Sequence, residues 1–273
     1  MKLGIFAKTF PGTTPLAVLQ AAASAGYASV QYNMACSGLG ALPVAVTAEV
    51  AQAVREASAA TGVEIAAISA TYNMTHPDLA RRRAGRDSLA AIAGRAHAMG
   101  SNLLTVCSGS LDAQDQWRHH PDNDTPAAWA RMLDEFRALI EIADQYDIQI
   151  GVEPELANIV SSAERARKLI DSLGSDRIRI VLDPANLAEV AHSDDRRRVI
   201  ANAVNLLADR IVMAHAKDRH ADGSFATAGQ GVIDFPHFLG ALAAVGFGGS
   251  LVTHGLADHE AAGVATFLKA AMA

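Results

Sequence analysis

The sequence predicts a single (β/α)8 barrel of the α/β class over residues 1–273, and three observations carry that prediction. Apolar strand-like runs alternate with Ala-rich helical stretches eight times along the chain, and eight such units close a parallel sheet with helices outside it. The length of 273 residues suits one such barrel, typically about 250 residues. Four strands of the C-terminal half each run into a metal-liking side chain: IQIGVEPE into Glu153, RIRIVLDPAN into Asp183, RIVMAHAKD into His215 and SLVTHG into His254. Their spacings of 30, 32 and 39 positions (153 to 183, 183 to 215, 215 to 254) fit the roughly 30 residues of one strand–helix unit.

Taken in order, the strands fall near 3–8, 29–33, 64–71, 102–108, 148–153, 178–183, 210–215 and 250–254, each a short apolar run. The helices after them fall at 14–26, 47–61, 77–99, 125–146, 161–173, 193–207, 235–245 and 257–272, where alanine, the strongest helix former, recurs. Thr14-Pro15 offers an N-cap with proline at the first helical position, Ser161 and Ser162 precede Glu164, and Gly174 follows Leu173. Two connections exceed what a barrel needs, 34–46 (MACSGLGALPVAV) and 109–124 (GSLDAQDQWRHHPDND). Both follow strand C-terminal ends, where barrels hold substrates, so both are lid candidates.

Composition narrows the function. Half the residues are hydrophobic and 19% are charged, as in an ordinary globular domain. A net charge of -6 argues against tracking nucleic-acid phosphates, which needs a clustered Lys/Arg excess. The runs Arg81–Arg83 and Arg196–Arg198 fall within predicted helices and read as solvated faces. No apolar run approaches the ~20 residues of a membrane span, and MKLGIFAKTFPG lacks the apolar core of a signal peptide. Cys36 and Cys107 form neither a disulfide framework nor a CxxC site. The expectation is a cytoplasmic protein with a small-molecule partner, with no nucleic-acid or membrane partner, and with a homo-oligomer left open.

Carboxylate oxygens and imidazoles on rigid strand ends suit a divalent ion, and the mixed donors leave Mn²⁺, Mg²⁺, Co²⁺ and Zn²⁺ open. Glu153 directly follows the apolar run IGV, where an unpaired carboxylate would be costly to desolvate. Asp183 precedes Pro184, whose missing N–H ends the strand. His215 stands between Ala214 and Ala216, while His254, before Gly255, either faces the mouth or caps the last helix. Glu155 shares the face of Glu153 if the strand continues through Pro154, and is a substrate or outer-shell candidate.

These residues, together with NMTHPD, GVEPE, VLDPANL, AHAKD, GQGVIDF and GFGGSLVTHG, make nearly the whole chain resemble the xylose isomerase-like TIM barrel superfamily. The similarity is to its sugar phosphate isomerase/epimerase group, which also includes inosose dehydratases, ketose 3-epimerases and endonuclease IV-type enzymes. The resemblance implies metal ligation by Glu153 and Asp183, with His215 as the HxKD histidine and His254 at the strand-eight position. Two departures stand out. Asn186 replaces a histidine that several relatives place in DPAN, and His254 replaces a glutamate that epimerases of the group use as one of a pair of bases. Histidine still binds a metal and moves protons near neutrality, with one negative charge fewer.

The implied activity is a divalent-metal-dependent sugar or sugar phosphate isomerase or epimerase, acting through an enediolate of a hydroxy-ketone or hydroxy-aldehyde. In it Glu153 or His254 moves the proton, Lys217 is an electrophilic or phosphate-side contact, and Asp218 orients His215 or Lys217. Lys8, Asn33, His76, Glu155, Asn186 and Asp218 are substrate-contact candidates and Cys107 a mouth-liner, while His119 and His120 read as exposed loop residues. The alternatives are a metal-dependent lyase or dehydratase of a keto-sugar or keto-inositol, or a barrel that binds sugar without converting it. An endonuclease IV-like activity is disfavoured by the acidic balance.

Overall fold

The computed structural model describes residues 1–188 and 195–273. Its strands are β1 (Lys2–Phe6), β2 (Ser29–Tyr32), β3 (Glu64–Ser69), β4 (Leu103–Cys107), β5 (Gln149–Glu153), β6 (Ile178–Leu182) and β7 (Ile211–Ala216), then the short β8 (Asp218–Arg219) and β9 (Phe225–Ala226), and β10 (Ser250–Thr253). Strands β1 to β7 and β10 pair in parallel and close into a barrel in the order β1-β10-β7-β6-β5-β4-β3-β2. Around it lie α1 (Pro15–Ser24), α2 (Ala48–Thr61), α3 (Leu79–Met99), α4 (Pro126–Tyr146), α5 (Ala163–Leu173), α6 (Pro184–Ala188), α7 (Arg196–Leu207), α8 (Phe235–Ala244) and α9 (Ala261–Met272).

Period-two alternation divides each strand between two cores. Residues such as Ile5, Val30, Ile150, Ile180 and Leu251 face outward into the layer under the helices. Ala67, Leu103, Val181, Met213 and Val252 form a separate small cluster inside the barrel. Two residues further along β5, β6, β7 and β10 stand Glu153, Asp183, His215 and His254, in phase with Gly151, Val181, Met213 and Val252. The apolar layer is therefore a floor, and the polar residues are the layer above it at the strand C-terminal ends. Gly151 is needed in that floor: a Cβ there would lie 3.0 Å from Val181 Cγ2 and 3.2 Å from Leu103 Cδ1.

Several helix signals act as their chemistry implies. The Ser162 hydroxyl accepts from Arg165 N, Pro15 occupies the first position of α1, and Gly174 closes α5 at φ 60°. Thr14 makes no side-chain cap bond. The first strand ends at Phe6 rather than residue 8, because Ala7–Thr9 turn into a 3-10 helix. The expected start of a helix at residue 193 lies outside the described residues. Two features were not legible as elements: the single-turn α6 directly after Asp183 and the β8–β9 hairpin. Both are too short to carry periodicity.

Candidate metal centre

Glu153 Oε1 lies 3.3 Å from His215 Nδ1, and Asp183 Oδ2 lies 3.6 Å from the same nitrogen. His254 Nε2 is 3.2 Å from His215 Nδ1 and 4.0 Å from Asp183 Oδ2. All four residues offer one ligand atom within 4.8 Å of the others. Bond lengths of about 2.0–2.2 Å to a shared ion would set neighbouring ligands roughly 3–4 Å apart, which is the separation observed.

Each ligand is aimed by a second contact. Asp183 Oδ1 accepts from Ala185 N at 2.9 Å, capping α6, so the buried Oδ2 is left to face the cluster. His215 Nε2 bonds Gln31 Oε1 at 3.0 Å, and Gln31 Nε2 in turn donates to Thr105 Oγ1 at 2.8 Å. That chain holds the proton on Nε2 and turns Nδ1 toward the carboxylates, the usual outer-shell arrangement of a metal-binding histidine. Asn186 Nδ2 donates to Glu153 Oε1 at 3.0 Å and to the Pro154 carbonyl at 3.1 Å. The inward-facing Asp183 oxygen, the two converging imidazole nitrogens and the held Glu153 form a donor set that fits a divalent cation.

One cation is already beside them. Lys217 Nζ lies 2.8 Å from Asp183 Oδ2 and 3.3 Å from Glu153 Oε1, and donates to Asn186 Oδ1 at 3.1 Å. Burial alone would raise both carboxyls, yet His215 and Lys217 hold Glu153 well below the usual range, and Lys217, followed by His215, holds Asp183 below it. Burial would likewise depress His215, but Glu153 and Asp183 outweigh it and carry the imidazole up to about 9. His254 goes the other way: burial, then the charges of His215 and Lys217, lower it to about 3. The metal-free centre is thus balanced, two carboxylates against Lys217 and protonated His215, with His254 neutral.

A pH effect follows. His215 is protonated below about 9 without metal, and a ligating nitrogen must be deprotonated. Loading Mn²⁺ at pH 7 releases about one proton, and affinity rises with pH until it levels above about 9. Calorimetry in buffers of different ionisation enthalpy counts the proton; a value near zero would remove His215 Nδ1 from the ligand set.

The centre opens into a cavity of about 510 Å³. Of the cluster, Glu153 and His254 reach it, with Glu155 and Lys217 beside them. Its other walls, Trp117, Leu156, Ala157, Arg219 and Phe225, were not among the sequence candidates, and neither was Gln31. Gln31 had a signal, a long polar side chain within the wholly buried β2. Trp117 falls in the 109–124 connection read as a lid candidate, but which side chains of that loop, of the loop after β5 and of the short β8–β9 hairpin turn into the cavity depends on paths that alternation does not describe.

Four of the expected substrate contacts are not among the residues that line this cavity. Lys8 is exposed on the turn after β1. The Asn33 side chain caps a 3-10 turn by accepting from Ala35 N. His76 bonds the Ala113 carbonyl through Nε2 and accepts from Asp78 N at Nδ1, tethering two loops around a neighbouring cavity. Asp218 does not orient His215 or Lys217: its buried carboxylate accepts from the backbone N–H groups of Arg219, Gly229, Gly231 and Ile233, so it organises the loop that carries the hairpin. Cys107 is buried with Sγ 3.9 Å from Glu153 Oε2, its thiol pushed well up by burial and by Glu153. His119 is exposed and His120 caps the turn at Pro121–Asp124.

A closed parallel barrel with a Glu-Asp-His-His cluster at the strand C-terminal ends defines a barrel with a candidate metal-binding active site. The family model described as xylose isomerase-like TIM barrel matches residues 19–269, and the chain belongs to that family. No curated protein matches it significantly by sequence. Among solved structures it is similar to apo 3-keto-D-glucoside 4-epimerase from E. coli, with a TM-score of 0.78 and 16% identity over 99% of both chains. It is similar to D-psicose 3-epimerase with D-tagatose from Clostridium cellulolyticum H10, with a TM-score of 0.76 and 13% identity over 100% of this chain and 99% of that one. A third is the IOLI protein with a binding zinc atom, with a TM-score of 0.74 and 15% identity over 100% and 98%. Among the described residues no helix is long and apolar enough to cross a membrane.

Proposed function

We propose that the protein is a divalent-metal-dependent isomerase or epimerase of a small keto- or aldo-sugar. The observation that carries this reading is the convergence of Glu153, Asp183, His215 and His254 within 4.8 Å beside a cavity that proton-handling groups also line. The sugar epimerases of the same fold support it. Mixed nitrogen and oxygen donors suit Mn²⁺, Co²⁺ or Zn²⁺ better than Mg²⁺.

A bound ion supplies polarisation of the substrate carbonyl, which acidifies the neighbouring C–H. Ionised Glu153, facing the cavity, is placed to take that proton. His254, neutral to about 3, presents a lone pair and has no proton of charge to return, which suits ligation. Glu155 faces the same cavity, and its carboxyl is raised by burial, opposed by Lys217 and reinforced by Glu153. It is the second group able to hold and return a proton, and so takes the part that a strand-eight glutamate would have played. Lys217 stabilises negative charge on the substrate oxygens.

The test is solvent exchange: protein loaded with Mn²⁺ and incubated in D₂O with a panel of ketoses and 3-keto-glycosides incorporates deuterium at the carbon next to the carbonyl, read by NMR. No exchange with any member would overturn the reading. The presence of His254 instead of a second strand-end carboxylate also supports a lyase reading, in which the proton is removed and water leaves. A product lighter by one water distinguishes it.

A further inference from the structure

We infer that the substrate bears a second ring beyond the reacting sugar, and that Phe225 and Trp117 form the subsite holding it. Both rings line the cavity that Glu153 and His254 reach, and both are open, Phe225 60% and Trp117 52% exposed. Large apolar rings exposed at one polar mouth are costly to hydrate and mark a binding surface. Leu156 and Ala157 add apolar surface to the same cavity. The cavity, at about 510 Å³, falls in the ~300–1,000 Å³ range of drug-sized ligands and leaves room beyond one pyranose.

Neither ring is on a loose loop. Phe225 sits on β9, paired with β8, and the four backbone bonds to Asp218 fix that hairpin's base. Gly231 is pressed there so closely that a Cβ would come within 2.2 Å of the Arg219 carbonyl. The Phe225 ring packs on the Arg219 guanidinium at 4.4 Å, which supports it from one side. The Trp117 segment is anchored by Asn158 Nδ2 donating to Gln116 O at 2.9 Å and by Trp117 N donating to Asp115 Oδ1 at 2.9 Å. An exposed aromatic held rigid has little ordering entropy left to lose when a ring stacks on it.

The charged side chains at this end already have partners. Lys217 is engaged by Asp183 and Glu153, Arg219 donates to the carbonyls of Ala185 and Gly223, and Glu155 adds a carboxyl to the wall. What fits is a neutral ring with an apolar face, either an aryl aglycone or the C–H face of a second sugar. The inference rests on the proposed sugar-converting reading for the orientation of the ligand, with the sugar toward Glu153.

Binding tests it without turnover. The chain has two tryptophans, and the other, Trp129, lies on α4 under Arg165 and Lys168 of α5. In a Trp129→Phe background, emission reports Trp117 alone. With Mn²⁺ present, phenyl β-glucoside or cellobiose shifts that emission and binds about tenfold more tightly than methyl β-glucoside. Phe225→Ala removes the gain and Phe225→Tyr keeps it. Tighter binding of the phenyl compound identifies an aryl aglycone, and tighter binding of cellobiose a second sugar. Equal affinity for all three, tightest binding of glucose 6-phosphate, or no response to any of them overturns the inference. Mn²⁺ calorimetry on the same protein stands apart: a failure there overturns the metal centre, not the ring subsite.

Discussion

Glu153→Gln lowers affinity for Mn²⁺ by about 100-fold or more and substrate C–H exchange by a further ~10²–10⁴-fold. Outer-shell changes alone cost metal sites about 10–100-fold, and this one removes the charge of a ligand atom at the point where His215, Lys217 and Asn186 converge. Glutamine keeps the volume, so the floor of the barrel is undisturbed. Lys217 keeps its contact with Asp183 at 2.8 Å, and the variant folds. Calorimetry of Mn²⁺ binding measures the first loss and deuterium incorporation at saturating Mn²⁺ the second. Wild-type affinity in the variant would exclude Glu153 as a ligand; unchanged exchange at saturation would exclude it as the base.

Lys217→Met moves stability and metal affinity in opposite directions. In the metal-free protein the Lys217 ammonium, 6% exposed, balances two buried carboxylates, and removing one partner of such a buried pair costs about 3–5 kcal/mol. The metal-free variant therefore melts well below wild type. With a divalent ion bound, the same ammonium is a like charge next to it. Unit charges about 4 Å apart repel by about 4 kcal/mol at an effective dielectric of 20, and relief of even a third of that tightens binding about tenfold. Thermal melts with and without Mn²⁺, beside calorimetry, show both effects: the variant is the weaker protein alone and the stronger binder. A variant as stable as wild type with unchanged affinity would mean that Lys217 stands clear of the cation position. Exchange activity falls in either case, because Lys217 lines the cavity proposed to hold the substrate.

The two variants exploit one property of the site, that its residues were placed by strand phase. Glu153, Asp183, His215 and His254 could be read from the chain because each ends an apolar run, and alternation carries an inward position in the floor to an inward position two residues later. Asn186 came instead from the resemblance carried by VLDPANL, since it lies past the end of β6 in the short α6 where strand phase no longer applies. Lys8 and Asn33 show where that reasoning stops. Both lie just beyond strands that end earlier than their apolar pattern, and the 3-10 turns at Ala7–Thr9 and Met34–Ser37 redirect the backbone. Asp218 shows a second limit: its carboxylate serves backbone N–H groups up to 15 positions away, and local spacing holds no trace of that partnership.

The sequence alone determined the (β/α)8 barrel and the layer of polar strand ends, because apolar periodicity and unit length are local properties and closure follows from their count. Tertiary structure alone decided that Gln31 aims His215, that Lys217 stands among the carboxylates and that Trp117 and Phe225 wall one cavity. Those pairings join residues 184, 64 and 108 positions apart (31 to 215, 153 to 217, 117 to 225). Contacts of that range are set by loop paths and packing, where each side chain's partner depends on all the others.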